Sequence, residues 1–396
     1  MTMRILIANI PAGGHIYPTL AMVGELARRG HEITYATVNE YAALVAQAGA
    51  TPLAYPTVDP FAVVGGKDSD RAPLLFLEEN LAILEAAEAH FADQAPDLVV
   101  YDGVAAQAGR ILARAWGVPA VQLSPVFASN ESYSYARAMM EAAGVGDAPP
   151  SEAIMQFGAR MGELLASRGV EQSMQDFMMA VEDFNVVFGP RAFQPRGETF
   201  DERFAFVGPC LGERSFLGDW SPRDDGLPLA LVSLGTSYNN DPEFFRTCAR
   251  AFDGLPWRAV MSVGDGIDPD TLGPLPANVE VHRWVPHLKV LEHADLFVTH
   301  GGMGSVMEAL HWGCPLLVVP PWPDVVPNAD RIVELGLGTS LRPADLDVDL
   351  LRKQLVRTAN DPQVRARVQD MRRHTREAGG AVRAADEIEA YAKRAV

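Results

Sequence analysis

Cysteine is scarce in this chain: Cys210, Cys248 and Cys314 are the only three in 396 residues. They are odd in number, far apart and without Cys-x-x-Cys spacing. A disulfide scaffold and a cysteine metal site are therefore excluded, and reduced thiols in a cytoplasmic setting are expected. Each reads as a small buried apolar residue. Positive charge is in deficit as well. Lys and Arg total 33 against 51 Asp and Glu, a net charge of −18. That balance repels nucleic-acid phosphates and anionic membrane surfaces alike. No apolar run approaches the ~18 residues needed to span a bilayer. The segment ILIANI after Arg4 is too short for a secretory core and reads as a first strand. Several catalytic signatures are missing: the glycine loop with Lys and Ser/Thr, the Gly-x-Ser-x-Gly elbow and the His-Glu-x-x-His helix. Asp-x-Asp pairs occur at Asp68/Asp70, Asp268/Asp270 and Asp347/Asp349. Two lie in Gly/Pro-rich loops and one at a helix start, so solvated carboxylates are expected, with neither a metal nor a resident cofactor.

What is present is ordinary for a soluble globular enzyme: 48% hydrophobic and 21% charged residues, with length for two or three domains. Arg4 to Ile10 reads as a strand, Pro11 to His15 as a turn and Pro18 to Arg29 as an amphipathic helix ending at Gly30. Glu32 to Thr37 follows as a strand, which makes a βαβ opening and argues for a parallel sheet. Val58 to Arg71 reads as a loop. Asp97 to Tyr101 is a strand with Asp102 at its end, and Ala105 to Trp116 a helix. A second βα series starts at Leu229 to Leu234, with the turn Gly235 to Ser237. The expected fold class is α/β, two facing Rossmann-like domains with parallel sheets. The expected division is a first domain over residues 1–210, a linker over 211–228, a second domain over 229–378 and a C-terminal helix, 379–396, crossing back to the first domain.

The richest stretch is Ala294 to Gly313, ADLFVTHGGMGSVMEALHWG. It reads as a buried strand, a glycine turn and a helix that Ser305 can cap. Such a helix start offers free N–H groups and partial positive charge to a phosphate. His300 stands at the strand end beside that anion. Glu308, one turn into the helix, can accept from a sugar hydroxyl. The first half carries a matching unit, RILIANI-PAGGH-IYPTLAMVGELARRG. Ligands bind beyond the carboxyl ends of parallel strands, so two facing domains place both turns in one cleft. His15 is the candidate base, and Asp102 the carboxylate placed to fix its tautomer.

From Val126 to Val181 methionines and aromatics recur on helical segments, broken at Gly144 to Pro150. Helical core packing accounts for most of them. Phe127, Tyr133, Met139 and Met140 are the candidates to line an adaptable apolar pocket.

The chain resembles the family 1 glycosyltransferases of the two-Rossmann (GT-B) type, and more closely the macrolide and natural-product glycosyltransferases of actinobacteria. The resemblance spans essentially the whole chain. It is carried by PAGGHIYPTL, by PDLVVYD with ARAWGVPAVQLSP, by FVGPC, by LVSLGTS, and from NVEVHRWVP to NADRIVELGLG. It implies that His15, paired with Asp102, deprotonates an acceptor hydroxyl, which attacks the anomeric carbon with inversion. It implies that Trp284 stacks on the donor base and the Val285 backbone pairs with its edge. Thr236, His300, Gly302, Gly304 and Ser305 would hold the diphosphate, Glu308 the ribose and Asp324 the sugar. Two departures stand out. Val325 occupies the place of a Gln that bonds sugar hydroxyls, which favours a TDP-deoxyhexose over UDP-glucose. His287 replaces another Gln. The expected partners are a nucleotide-sugar donor and a bulky apolar acceptor such as a macrolide, and the oligomeric state is left open, a homodimer included. Two other classes fit the architecture. A nucleotide-sugar 2-epimerase would not need the Met-rich segment, and a non-catalytic nucleotide-sugar-binding helper would not need His15 and Asp102.

Overall fold

The computed structural model describes the chain apart from residues 1, 64–70, 104–106, 145–150, 213–217, 237–238 and 396. The middle of the Val58–Arg71 loop with Asp68/Asp70, the start of the helix expected at Ala105 and most of the Gly144–Pro150 break lie outside the described residues. So do part of the 211–228 linker and Ser237.

The first half runs β1 Arg4–Ala8, α1 Gly13–Arg28, β2 Glu32–Thr37, α2 Asn39–Gln47, β3 Thr51–Ala54 and α3 Ala72–His90. It continues with β4 Leu98–Asp102, α4 Gln107–Trp116, β5 Ala120–Ser124, α5 Tyr135–Ala142, α6 Glu152–Ser167, α7 Met174–Met179, β6 Asn185–Val187 and β7 Phe204–Phe206. The second half runs β8 Leu229–Ser233, α8 Pro242–Phe252, β9 Arg258–Ser262, β10 Val279–His282, α9 His287–Leu291, β11 Leu296–Thr299 and α10 Met303–Trp312. Then come β12 Leu316–Val318, α11 Val326–Glu334, β13 Gly338–Ser340, α12 Val348–Asn360, α13 Pro362–Glu377 and α14 Gly380–Ala395.

Two all-parallel sheets result. The first has the order β3-β2-β1-β4-β5-β6-β7 and the second β10-β9-β8-β11-β12-β13. Each order reverses once, between β1 and β4 and between β8 and β11. A reversal leaves a crevice beyond the strand ends, where α/β sheets bind ligands. Alternation along the strands feeds two layers of core. Ile5 and Ile7 face Met22, Val23 and Leu26 of α1 and Ile388 of α14, while Leu6 and Ala8 face α3, α4, α6 and α7. The last helix does cross back: Ala384, Ala385, Ile388 and Ala392 are buried in the first domain, Tyr391 stacks on Phe184 at 5.0 Å, and Arg29 donates to Asp386 at 2.7 Å. No helix among the described residues is long and apolar enough to cross a membrane.

Local expectations needed correction in places. Helix α1 starts at Gly13, so His15 lies in a helical turn and Pro18 inside the helix. The Ala12 carbonyl accepts from the His15 and Ile16 N–H groups, at 2.9 Å each. Tertiary contacts thus override the turn propensity of Pro-Ala-Gly-Gly. Ser305 does not cap α10. Gly302 is the N-cap, with no side-chain hydrogen bond. The edge strand β13 is three half-exposed residues, too short and polar to show as a strand pattern. Asp268 and Asp347 are helix caps, accepting from the Asp270 and Leu350 N–H groups. All three cysteines are free and buried.

Candidate active site

The two sheet reversals face each other. Ala8 of β1 pairs with Tyr101 of β4, which brings Asp102 alongside the start of α1. The His15 Nδ1 lies 2.6 Å from the Asp102 Oδ2. A carboxylate only accepts, so Nδ1 carries the proton and Nε2 is left as the basic nitrogen. Asp102 is buried and His15 about one-fifth exposed (18%). Burial disfavours the imidazolium, but the charge and hydrogen bond of Asp102, with a smaller pull from Asp324, more than offset it. The His15 pKa is therefore raised above its ordinary 6.5. Below the ring a buried network fixes the helix turn. Asn9 Nδ2 donates to the His15 carbonyl at 3.0 Å and to the Tyr35 hydroxyl at 2.8 Å, and Tyr35 meets Thr19 Oγ1 at 2.8 Å. Beside the ring lies an apolar flank. Phe61 is 6.5 Å from it and packs with Phe76 against Ile10.

Across the cleft, Ser233 of β8 pairs with Thr299 of β11. The turns that follow enclose His300. A Cβ at Gly235, whose φ is +80°, would sit 2.6 Å from the His300 Cε1, and one at Gly302 would overlap its Nε2. Only glycine admits the ring there. Burial, with His287 nearby, lowers the His300 pKa to about 4. The imidazole is thus neutral and donates one N–H. Gly302 leaves the first α10 amides without a side-chain cap, and the space around Gly304 is open. Ser305, half-buried, stands in that first turn. Thr236 carries the opposite wall: its Oγ1 lies 3.5 Å from where a Gly13 Cβ would be, so the two turns meet. Asn239 pins this wall by donating to the Gly235 and Thr236 carbonyls, at 3.2 and 3.3 Å.

The remaining expected donor residues lie on the segments around this turn. Trp284 is half-buried, its indole N–H held by Asp265 at 3.0 Å, and Val285 is buried behind it. His287 opens α9 with its Nδ1 3.8 Å from the Glu308 Oε2, and Glu308 is buried. Asp324 and Val325 lie on the 3₁₀ turn Pro323–Val325. Burial raises the Asp324 pKa, its own backbone surroundings and His15 pulling the other way. Val325 is 5% exposed. Among the described residues no group of three His, Cys, Asp or Glu side chains converges as metal ligands would.

The apolar candidates divide. Phe127 is buried, stacked on Phe193 at 5.5 Å with Tyr133 and Tyr135 against its edges. It belongs to interdomain packing together with Met303 and Met307, as do the half-buried Tyr133 and Met139. Phe127 is 4% exposed and borders, with Phe193 and Met303, a cavity of only about 10 Å³, too small for a bulky acceptor. It packs the interface instead of walling an open cleft, which corrects that expectation. Met140 faces outward, 52% exposed. Sequence reading missed Asn9, Tyr35, Phe61, Asn239 and Asn328, whose Nδ2 donates to the Gly301 carbonyl at 2.8 Å. Only Asn328 carried a signal, inside the NADR run of the second-domain motif.

The comparisons agree with this fold. Residues 259–382 match the family model described as "Erythromycin biosynthesis protein CIII-like, C-terminal domain". The chain is 41% identical to the NDP-glycosyltransferase YjiC of Bacillus licheniformis, over 98% of this chain and 97% of that protein. It is 36% identical to the oleandomycin glycosyltransferase of Streptomyces antibioticus, over 98% and 90%. Among solved structures, CalG4, the calicheamicin glycosyltransferase, superposes with a TM-score of 0.90 at 44% identity, covering 99% of both chains. Two facing parallel sheets, a ligand cleft at both reversals and full-length relatives of one activity lead to one assignment: the chain belongs to the sugar-nucleotide-dependent glycosyltransferases of the two-Rossmann type.

Proposed function

We propose that this glycosyltransferase moves a sugar, with inversion, from a nucleoside diphosphate sugar to a hydroxyl of a bulky apolar natural product, a macrolide or other polyketide. The observation that carries this reading is the 2.6 Å contact of His15 with buried Asp102, facing the uncapped start of α10. The acceptor O–H gives its proton to His15 Nε2, while its oxygen attacks the anomeric carbon from the face opposite the phosphate. The bond from that carbon to the phosphate oxygen breaks, and the electron pair leaves with the diphosphate. Asp102 supports the imidazolium that forms. The α10 amides, the Thr236 hydroxyl and the neutral His300 N–H stabilise the charge on the leaving group, with no metal required. Trp284 offers a face to the nucleobase, Glu308 a carboxylate to the ribose and Asp324 one to the sugar. The acceptor lies against the apolar flank of Phe61, Phe76 and Ile10 next to His15. The names of the relatives, an oleandomycin and a calicheamicin glycosyltransferase among them, support a complex apolar acceptor.

The test is a metal-free transfer assay read by mass spectrometry, with macrolides and phenols offered each with UDP-glucose and with a TDP-deoxyhexose. A hexose or deoxyhexose adduct is expected, and its mass identifies the donor. Donor conversion without any acceptor would point to epimerisation. Tight nucleotide binding with no turnover would point to a helper protein.

A further inference from the structure

The 3₁₀ turn that carries Asp324 and Val325 belongs to the second domain, yet the first domain holds it. Tyr135, the first residue of α5, donates its hydroxyl to the Asp324 carbonyl at 2.8 Å. Its own N–H is fixed by Ser129 Oγ at 3.0 Å, and its ring is buried against Phe127. Helix α5 packs on both the turn and α11. At the far end of the same segment Arg331 donates to the carbonyls of Ala192, Phe193 and Gln194, at 2.9 to 3.2 Å. Between these two grips Asn328 ties the segment to the Gly301 carbonyl of the phosphate-side turn. Residues 324–331 therefore form a strut with three anchors. Two of them are in the first domain, and Asp324 at its start lies near enough to His15 for each charge to act on the other.

We infer that Tyr135 is a positioning residue for the donor sugar, acting from the acceptor domain through the backbone carbonyl of Asp324. The inference rests on the proposed role of Asp324 in binding that sugar. A carbonyl held by a phenol fixes the peptide plane between Asp324 and Val325, and so holds the backbone from which the Asp324 carboxylate projects. Burial and the nearby Asp324 carboxylate keep the phenol protonated, so it donates throughout the working pH range. In the proposed reading the nucleobase and diphosphate bind at Trp284, Thr236 and the α10 amides. The Tyr135 hydroxyl bonds to the Asp324 carbonyl, while its ring, which shares a buried cluster with Met303 and Met307 of α10, is kept by a phenylalanine. Loss of the hydroxyl should therefore be felt at the sugar and not at the nucleotide.

The experiment is Tyr135→Phe in the full chain, which keeps the buried ring and removes only the donor. With acceptor saturating, the KM for the nucleotide sugar should rise about five- to tenfold, the worth of one hydrogen bond. The kcat should change less, and the affinity for the sugar-free nucleoside diphosphate should be unchanged. An unaltered donor KM overturns the inference. So does a loss of nucleoside diphosphate affinity by the same factor, which would mark a general loosening. Asp324→Asn is measured alongside. If it raises the donor KM while Tyr135→Phe does not, the inference alone fails. If neither substitution moves it, the donor-sugar reading of Asp324 fails and the inference falls with it.

Discussion

The two domains each offer one histidine to the cleft from the same local scaffold, strand, glycine turn and helix, and the two rings are tuned in opposite directions. His15 has a buried carboxylate at 2.6 Å, and its pKa is raised. His300 has no carboxylate against it among the contacts above, is enclosed by Gly235 and Gly302, and is held neutral with a pKa near 4. Burial acts on both rings in the same sense. The partner decides the outcome. A shared scaffold therefore brings an imidazole to the cleft, and the residue on the neighbouring strand decides whether its pKa is raised or lowered.

The strongest way to break this comparison is at the base. His15→Ala should lower transfer by about 10²–10⁴-fold, with nucleoside diphosphate affinity near normal by titration calorimetry. Transfer at the wild-type rate would remove His15 from the mechanism. Next, Asp102→Asn should lower turnover by about 10²-fold and make the two histidines more alike. In the proposed mechanism the working form of His15 is the neutral ring. With its pKa above the ordinary 6.5, wild-type transfer should climb as pH rises through that raised value. Without Asp102, burial is opposed only by the weaker pull of Asp324, so the acid limb should move to lower pH. A limb that stays in place would assign it to another group.

A smaller effect is expected on the second histidine. Gly235→Ala puts a side chain at positive φ against His300 and should cost about 1–3 kcal/mol of stability by chemical denaturation. It should also weaken nucleoside diphosphate binding while leaving the acid limb of the pH profile where it was. A variant as stable as wild type would mean that the His300 enclosure yields. The smallest effect concerns the sugar. Val325→Gln should raise the use of UDP-glucose over a TDP-deoxyhexose about fivefold, the worth of one added hydrogen bond. Competition of the two donors measures this directly, and an unchanged ratio would separate Val325 from the sugar.

Much of this was legible in the sequence, for reasons that are physical. The buried strands of a parallel sheet are continuous apolar runs, so RILIA, LVVYD and LFVT announced themselves. Asp102 was visible as a carboxylate at a strand end and His15 as an imidazole in the turn after a strand. What was not legible depends on contacts far along the chain. The α1 start is hidden because Gly-Gly and Pro suggest a turn, and only the Asn9 and Tyr35 network shows why a helix forms there. Gly302 takes the cap position that Ser305 fits by composition, since an uncapped start leaves amides for a ligand. Phe127 looked like the wall of an open pocket and instead packs beside a very small cavity, because its partner Phe193 is 66 residues away. Phe61 looked like loop and stands beside His15, since the helix that carries Phe76 brings it there.

The C-terminal helix has a consequence for how the molecule is made. Ala384, Ile388 and Ala392 complete a core that includes Met22 and Leu26, and Glu389 bonds His31 across 358 residues. Domains usually fold in the order in which the ribosome delivers them. Here the core of the domain synthesised first is completed only when helix α14 arrives, so the apolar face that α14 covers lacks its cover while the second domain is built. Newborn chains would then be most exposed to proteases and to one another through the part of the protein that was translated earliest.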